Sequence, residues 1–273
     1  MDIIPIVEEG IASIQDSKQR VVGVYYASEL PYCMRKTYYN YFEKAKLNYS
    51  LRKVFRIGIA LHSLIQEGLE FYQKNHTDFK VLNEPEDVER IFKHTYTDTI
   101  EDGSEIEHQF EIHGRPDTII VDPQGAMHII EIKSHANVFF LRGAPEEHHL
   151  LQLNYYQHFY PESIGHMLYI NKAKKNYKFD VKVIDGTKVD NYKEFVEFQP
   201  LRYDDGLFKM MVKRAEEVHS SIISETLPMP EAYMRGATTD WECTNCSFKQ
   251  KCYSEIMTKK GGIEYTNLEK AIS

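Results

Sequence analysis

Apolar residues recur along this chain with two periods, one typical of helices and one typical of strands. The clearest helical period runs from Ile57 to Tyr72. Its apolar stripe consists of Ile57, Ala60, Leu61, Leu64, Ile65 and Leu69. His62 lies at the edge of that stripe, and a basic, aromatic helix is predicted from Tyr32 to Phe42, after Pro31. Further helices are predicted over residues 5–20, 146–160 and 207–224.

Short extended segments occupy the middle of the chain and are bounded by proline, glycine and other turn residues. The predicted strands are Phe110–His113, Asp117–Val121, Met127–Lys133, Ile164–Ile170 and Tyr177–Ile184. The last of them alternates apolar and polar positions, as a half-buried strand does. This order of helices and strands predicts an α/β or α+β core with helical additions.

The turn at residues 122–125, Asp-Pro-Gln-Gly, predicts how two of these strands pair. Proline suits the first central position of a type I turn, and Gly125 suits the left-handed position that follows, which gives a three-residue hairpin loop with a bulge. Counting back along the antiparallel ladder places Asp117 opposite Glu131. Lys133, two residues further on, emerges from the same face.

Two like charges directly opposite each other destabilise a sheet unless a cation lies between them. Asp117, Glu131 and Lys133 therefore predict a divalent-metal site. The alternative is an exposed hairpin face with a simple Lys–Glu pair. That alternative is weakened because the flanking residues are apolar and place the charges at the edge of a core: Ile119, Val121, Ile129 and Ile130.

The chain has only four cysteines, and three of them form a C-x2-C-x5-C pattern at Cys243, Cys246 and Cys252, with Cys33 far upstream. This distribution does not suit a disulfide framework, and four thiolates with a C-x2-C pair indicate a metal or iron–sulfur site. Zinc and a [4Fe-4S] cluster both accept four cysteinates, so the residues leave that choice open. Buried, inert cysteines are the remaining alternative.

Composition excludes several classes of protein. The chain has 273 residues, of which 42% are hydrophobic and 27% charged, values that are ordinary for a folded globular protein. No apolar run is long enough for a membrane span, and acids stand where a signal peptide needs bases, so we expect a cytoplasmic location and no membrane partner.

Charge is unevenly distributed, although the formal net charge is −8. Seven bases and one acid lie between Pro31 and Arg56, whereas ten acids and two bases lie between Glu84 and Glu111. Net charge therefore does not exclude a nucleic-acid partner. Solvated helix faces are the simpler interpretation of both runs.

Four short motifs follow one another along the chain: Gly58-x3-His62, Gly114-Arg115-Pro116-Asp117, Glu131-Ile132-Lys133 and Gln152-x3-Tyr156. In this order they resemble those of RecB-like nucleases of the PD-(D/E)xK superfamily. With the four cysteines, residues 28–256 resemble the CRISPR-associated RecB-type exonucleases (the Cas-four family) and their viral and recombination-associated relatives. In that family four such cysteines hold a [4Fe-4S] cluster.

The resemblance implies a role for each motif residue. Asp117 and Glu131 would bind Mg²⁺ or Mn²⁺ with the carbonyl of Ile132, and His62 would be a further ligand. An imidazole among carboxylates favours Mn²⁺. Lys133 would orient the attacking water. Gln152 and Tyr156 would support the site and contact DNA.

The implied fold is a restriction-endonuclease-like central mixed sheet flanked by helices, with an iron–sulfur subdomain built from both chain ends. We expect an N-terminal region (1–56), a nuclease core (57–200) with an acidic insertion (84–111), a C-terminal helix and cysteine region (201–257) and a flexible tail (258–273). The implied function is a metal-dependent DNA exonuclease that processes prespacer DNA in CRISPR adaptation, with the CRISPR integrase as partner and homo-oligomerisation left open. Alternatives are a viral or recombination nuclease, or a noncatalytic zinc-stapled DNA-binding protein.

Overall fold

The computed structural model describes residues 20–45, 49–84, 88–99, 103–135, 143–173, 181–184, 187–190 and 193–258, together with Ile3, Pro5 and Leu141. The chain forms two compact units. The sheet unit comprises residues 23–31 and 52–216, and the cysteine unit comprises residues 1–22, 32–51 and 217–273. The predicted helix over residues 5–20 falls almost entirely outside the described residues, as do residues 259–273 of the predicted tail.

Ten strands lie within the described residues, all of them in the sheet unit. They are β1 Val24–Tyr26, β2 Lys80–Leu82, β3 Arg90–Thr99, β4 Glu105–Gly114, β5 Thr118–Val121, β6 Met127–His135, β7 Ile164–Asn171, β8 Val181–Ile184, β9 Thr187–Asp190 and β10 Phe195–Leu201. A five-stranded sheet has the order β10-β7-β6-β5-β2, a three-stranded sheet has the order β1-β4-β3, and β8 and β9 form a separate hairpin. The two larger sheets are mixed, because β6–β7 and β1–β4 are parallel pairs.

Helices are present in both units. They are α1 Met34–Phe42, α2 Tyr49–Asn75, α3 Glu147–Gln157, α4 Asp205–Ile223, α5 Glu231–Gly236, α6 Trp241–Thr244 and α7 Lys249–Thr258. Helix α3 belongs to the sheet unit, α1, α5, α6 and α7 belong to the cysteine unit, and α2 and α4 have residues in both. The predicted α+β architecture, with mixed sheets and flanking helices, is confirmed. None of the helices in the described part of the chain is long and apolar enough to cross a membrane.

The core of the sheet unit is centred on β5, β6 and β7. Ile119, Ile129, Ile132 and Met167 on these strands have no exposed surface. Burial of each such side chain contributes about 1.5–3 kcal/mol. The polar groups at the ends of these strands are therefore held by a close-packed scaffold.

The hairpin of β5 and β6 has the predicted register. Thr118 pairs with Ile130 and Val121 with Met127. The Asp122 amide donates to the Ala126 carbonyl at 3.0 Å, which closes the loop. Gly125 has the left-handed φ of +82° that the turn requires. Continued by one pair, this ladder brings Asp117 opposite Glu131.

Other elements differ from the sequence-based expectation. The predicted helix Ile57–Tyr72 is the centre of the longer α2, and the acidic segment after Glu84 contains most of the hairpin β3–β4. Half-buried and exposed positions alternate throughout β3: Phe92 and Tyr96 lie on the half-buried face, and Lys93 and three threonines lie on the exposed face. The predicted strand Tyr177–Ile184 is described only from Val181, where β8 begins.

Candidate active site

Asp117 lies in the short connection between β4 and β5, one residue before β5 begins. One carboxylate oxygen accepts a hydrogen bond from the Ile132 amide at 2.7 Å. The other lies 3.1 Å from Nδ1 of His62, which α2 supplies. Gln66, one turn after His62, donates to the Asp117 carbonyl at 2.5 Å. Helix α2 and strand β6 thus hold Asp117 from two sides.

The His62 imidazole lies in an acidic environment. Burial lowers the pKa of His62, but the hydrogen bond to Asp117 and the charges of Asp117 and Glu131 outweigh this effect and raise the pKa above its ordinary value. The site therefore attracts positive charge at the position of His62.

Glu131 occupies the middle of β6 and is only 2% exposed. Its Oε1 accepts a hydrogen bond from Lys133 Nζ at 2.6 Å. Its Oε2 is buried and has no hydrogen-bond partner among the described residues. Burial and the neighbouring charge of Asp117 raise the pKa of Glu131, and the Lys133 ammonium partly opposes them. A buried carboxylate oxygen without a partner is costly, so this atom requires a cation or a proton.

Lys133 connects the strand to helix α3. Besides Glu131, its ammonium donates to Gln152 Oε1 at 2.9 Å. Gln152 in turn donates from Nε2 to the Tyr156 hydroxyl at 2.9 Å. Gln152 and Tyr156 are four residues apart and so share one helix face. Burial raises the pKa of Tyr156 well above its ordinary value, so this hydroxyl stays protonated.

The structure thus brings together the six residues predicted for the active site whose side chains it places: His62, Asp117, Glu131, Lys133, Gln152 and Tyr156. Ile132, the seventh, has its amide against the Asp117 carboxylate, and its role as a carbonyl ligand stays a prediction. Sequence reasoning missed Gln66, although its spacing of four from His62 places both on one helix face.

The four cysteines line one cavity of the cysteine unit. Cys33 and Cys243 are buried, and none of the four forms a disulfide. Burial raises the pKa of Cys252 to about 11, and the nearby Arg35 guanidinium, 4.0 Å from its sulfur, partly opposes this. Thiolates at this site therefore require a metal or a cluster to stabilise them.

Hydrogen bonds within the cysteine unit hold together the segments that line this cavity. The Cys33 amide, at the N-terminus of α1, donates to Glu242 Oε1 at 3.1 Å. Asp240 caps α6 by accepting from the Glu242 and Cys243 amides. The Tyr253 hydroxyl lies 3.6 Å from the Cys243 sulfur. The segments that carry Cys33 and Cys243 are thus joined by polar contacts of their own.

Sequence reasoning also missed a group of histidines at the start of α3. Atoms of Glu146, His148 and His149 that can bind a metal all lie within 4.8 Å of one another. The sequence signal was present, since a Glu-x-His-His pattern precedes an apolar helix. Burial lowers the pKa of His149 to about 2, so its imidazole is neutral.

The family model described as the PD-(D/E)XK nuclease superfamily matches residues 78–253. The chain belongs to this superfamily. The matched PD-(D/E)XK span contains Asp117, Glu131, Lys133 and the C-terminal cysteines. The two mixed sheets with flanking helices are consistent with the restriction-endonuclease-like fold of these nucleases.

The other comparisons add no functional assignment. A solved structure titled "Crystal structure of SSO0001" is 17% identical in sequence, with 90% of this chain and 93% of that chain covered and a TM-score of 0.49. This level of similarity carries no argument about function. No curated protein matches the chain.

Members of the PD-(D/E)XK superfamily hydrolyse phosphodiesters with the help of divalent metals, so the chain is a nuclease with a nucleic-acid substrate. The described residues fit such an ion. Two carboxylates and an imidazole converge, and the buried Oε2 of Glu131 has no hydrogen-bond partner in the described part of the chain. Carboxylate oxygens are the ligands that Mg²⁺ and Mn²⁺ prefer.

Proposed function

We propose that this nuclease is a DNA exonuclease whose catalytic residues are Asp117, Glu131 and Lys133, with Gln152 and Tyr156 as supporting residues. The observation that carries the proposal is the position of Lys133 Nζ, 2.6 Å from Glu131 and 2.9 Å from Gln152. An ammonium fixed beside Glu131 by Gln152 suits a reaction in which negative charge builds up on a phosphate.

The proposed metal ligands are His62, the carboxylates of Asp117 and Glu131, and the carbonyl of Ile132. A divalent ion bound there would lower the pKa of the attacking water and stabilise the leaving oxygen. Of the two ions, Mn²⁺ is the one we propose, because an imidazole ligand favours Mn²⁺ over Mg²⁺.

The protein groups contribute orientation and charge. Two of the three N–H donors of Lys133 are used by Glu131 and Gln152 within the described residues. The third can donate to the attacking water or to a phosphate oxygen. Gln152 holds the ammonium in place through its carbonyl oxygen, because an ammonium can only donate. The amide nitrogen of Gln152 then donates to the Tyr156 hydroxyl. These contacts pre-organise the positive charge before substrate binds.

We also propose that Cys33, Cys243, Cys246 and Cys252 hold a [4Fe-4S] cluster. The four cysteines line one cavity of the cysteine unit. Zinc and a [4Fe-4S] cluster both accept four cysteinates. The support for the cluster is the resemblance of the cysteine pattern, together with the nuclease motifs, to the iron–sulfur nucleases.

The pathway we propose is the trimming of prespacer DNA in CRISPR adaptation, with the CRISPR integrase as partner and a cytoplasmic location. Support for this step is the resemblance of the combined nuclease and cysteine motifs. A viral or recombination nuclease with the same chemistry is the alternative. Purified protein mixed with a CRISPR integrase should form a complex on size exclusion, and the absence of any complex would remove the CRISPR role while leaving the nuclease intact.

The test of the exonuclease uses linear and circular single-stranded DNA with Mn²⁺. The wild-type protein should shorten the linear strand from an end and leave the circle intact. Lys133→Ala should lose cleavage while it still binds DNA. Lys209→Ala is the matched control, because Lys209 is an exposed helix lysine that pairs with Asp205, four residues away. Cleavage of the circle would contradict the exonuclease, and binding without cleavage by the wild-type protein would favour a noncatalytic DNA-binding protein.

A further inference from the structure

Three imidazoles surround one carboxylate beside, but outside, the active site. Glu146 is the residue immediately before α3, and His148 and His149 are in the first turn of this helix. Side chains at a helix start point back toward the N-terminus, which turns both rings toward Glu146. The third imidazole, His135, is the last residue of β6.

The imidazole nitrogens of this cluster lie at, or slightly beyond, hydrogen-bond distance from the Glu146 carboxylate. His148 Nε2 lies 3.2 Å and His149 Nδ1 lies 3.4 Å from the same oxygen, Oε2 of Glu146. His135 Nε2 lies 3.6 Å from the other oxygen. A typical N–H···O bond is about 2.9–3.0 Å long. Ligands bound to zinc at 2.0–2.1 Å in a tetrahedron are roughly 3.4 Å apart, so these distances also fit ligand atoms around one ion.

The surroundings hold these ligands in place. His149 is only 7% exposed. The Tyr169 hydroxyl, on β7, accepts a hydrogen bond from the Glu146 amide at 3.0 Å and lies 2.9 Å from His149 Nδ1. The Tyr169 hydroxyl therefore holds the Glu146 backbone and the His149 ring in place, and His149 Nδ1 exchanges this contact for the ion when a metal binds.

We propose that Glu146, His148 and His149 form a second metal site, selective for Zn²⁺ and similar transition ions, with His135 placed to complete it. Two or three imidazoles with one carboxylate suit Zn²⁺, Co²⁺ and Ni²⁺ and disfavour Mg²⁺. The positive end of the α3 dipole opposes a cation there, and the carboxylates of Glu146 and Glu147 offset it.

This site is distinct from the one at Asp117 and Glu131. His135 lies four residues beyond Glu131 on β6, which at the strand rise is about 13 Å. The ions of a two-metal nuclease centre are only about 3.5–4 Å apart. The second ion therefore does not share the scissile phosphate. It would tie the start of α3, the helix that carries Gln152, to the end of the strand that carries Lys133.

The test is a Co²⁺ titration of protein that was purified anaerobically, so that its cysteines keep their resident group, and then dialysed against EDTA. The wild-type protein should bind cobalt with the visible d–d absorption of a nitrogen and oxygen site, without sulfur charge-transfer bands. Excess Zn²⁺ should displace it. Glu146→Gln and His148→Ala, whose side chains are partly exposed, should weaken binding by at least about tenfold.

Two control variants identify the site. His76→Ala removes an exposed imidazole at the end of the α2 region and should bind Co²⁺ as the wild-type protein does. Asp117→Asn removes a ligand of the nuclease metal site, which also binds Co²⁺ through nitrogen and oxygen, so it is the background in which the second site is measured. Asp117→Asn should still bind Co²⁺, and adding Glu146→Gln or His148→Ala to it should weaken that binding by at least about tenfold. No cobalt signal in Asp117→Asn, or unchanged binding when both further substitutions are tested in that background, would overturn the proposal. Far-UV circular dichroism of each metal-free variant verifies that it is folded.

Discussion

Gly114→Ala tests how closely packing and catalysis are connected in this nuclease. Gly114 ends β4 and begins the Gly-Arg-Pro-Asp motif. An added Cβ would lie 2.6 Å from a ring carbon of Tyr155 and 2.7 Å from one of Tyr156. Carbon atoms in contact are normally about 3.5 Å apart, so each ring would need to move by roughly 0.9 Å.

Neither ring has space for that movement. Tyr155 is fully buried and Tyr156 is 1% exposed, and the Tyr155 hydroxyl donates to the Ile112 carbonyl at 2.5 Å. Overpacking of this kind typically costs about 1–3 kcal/mol. For a protein of this size each kcal/mol lowers Tm by roughly 2–4 °C, so the expected decrease in Tm is about 2–12 °C.

The same movement should reduce activity. The Tyr156 hydroxyl accepts the hydrogen bond of Gln152, and Gln152 holds Lys133. Displacement of a catalytic group by about 1 Å can cost roughly 10²-fold in rate. We therefore expect Gly114→Ala to lower the single-turnover rate of DNA cleavage by about that factor, measured well below its Tm.

Gly68→Ala is the matched control for this substitution. A Cβ at Gly68 would meet no atom within 4 Å, and Gly68 lies in the interior of helix α2. Alanine favours a helix over glycine by up to about 1 kcal/mol, so this variant should be slightly more stable and fully active. A Gly114→Ala protein with the wild-type Tm and the wild-type cleavage rate would refute the packing argument.

Three further predictions follow from particular contacts. Gly125→Ala should destabilise the β5–β6 hairpin by about 1–2 kcal/mol in urea unfolding, because an alanine at a φ of +82° is strained. Tyr156→Phe should slow cleavage less than Gln152→Ala does, because it removes a contact to Gln152 and not one to the ammonium, and equal rates for the two variants would contradict this order. Burial against Phe208 lowers the pKa of His158, so the folded state favours the neutral ring. The contribution of this ring to the free energy of unfolding is therefore fully present above about pH 6.5, the pKa of an unperturbed histidine, and is lost as the pH falls below that value. Between about pH 7 and pH 5 the Tm of His158→Phe should therefore decrease less than the Tm of the wild-type protein, because the variant has no imidazole to protonate. The same decrease in both proteins would argue against this role of His158.

The hairpin that carries the active site could be predicted from local chemistry. A proline, a left-handed glycine and the period of a strand are sufficient to define the register of Asp117 against Glu131. Each of these signals lies within a few residues of the turn. Of the hairpin β3–β4, only the end of β4 at Phe110–His113 was predicted, because acids crowd the rest of the segment and hide its alternation.

Contacts between segments that are far apart in the sequence could not be predicted from local patterns. The family resemblance indicated His62 as a ligand, but its 3.1 Å approach to Asp117 depends on how α2 packs beside the sheet. The cluster of Glu146 with His135 joins a helix start to a strand end, and no sequence spacing reports that distance. The three-dimensional arrangement of the four cysteines likewise became measurable only in the structure.

The central claim, that the acids of the β5–β6 hairpin form the nuclease centre, is tested most directly by Asp117→Asn. The rate of end-labelled DNA cleavage is measured against Mn²⁺ concentration for this variant and for the wild-type protein. The wild-type rate should rise with Mn²⁺ and vanish in EDTA, whereas Asp117→Asn should be slower by at least about 10²-fold at every concentration while remaining folded. Cleavage by Asp117→Asn at the wild-type rate would contradict the assignment and place the nuclease centre elsewhere in the chain.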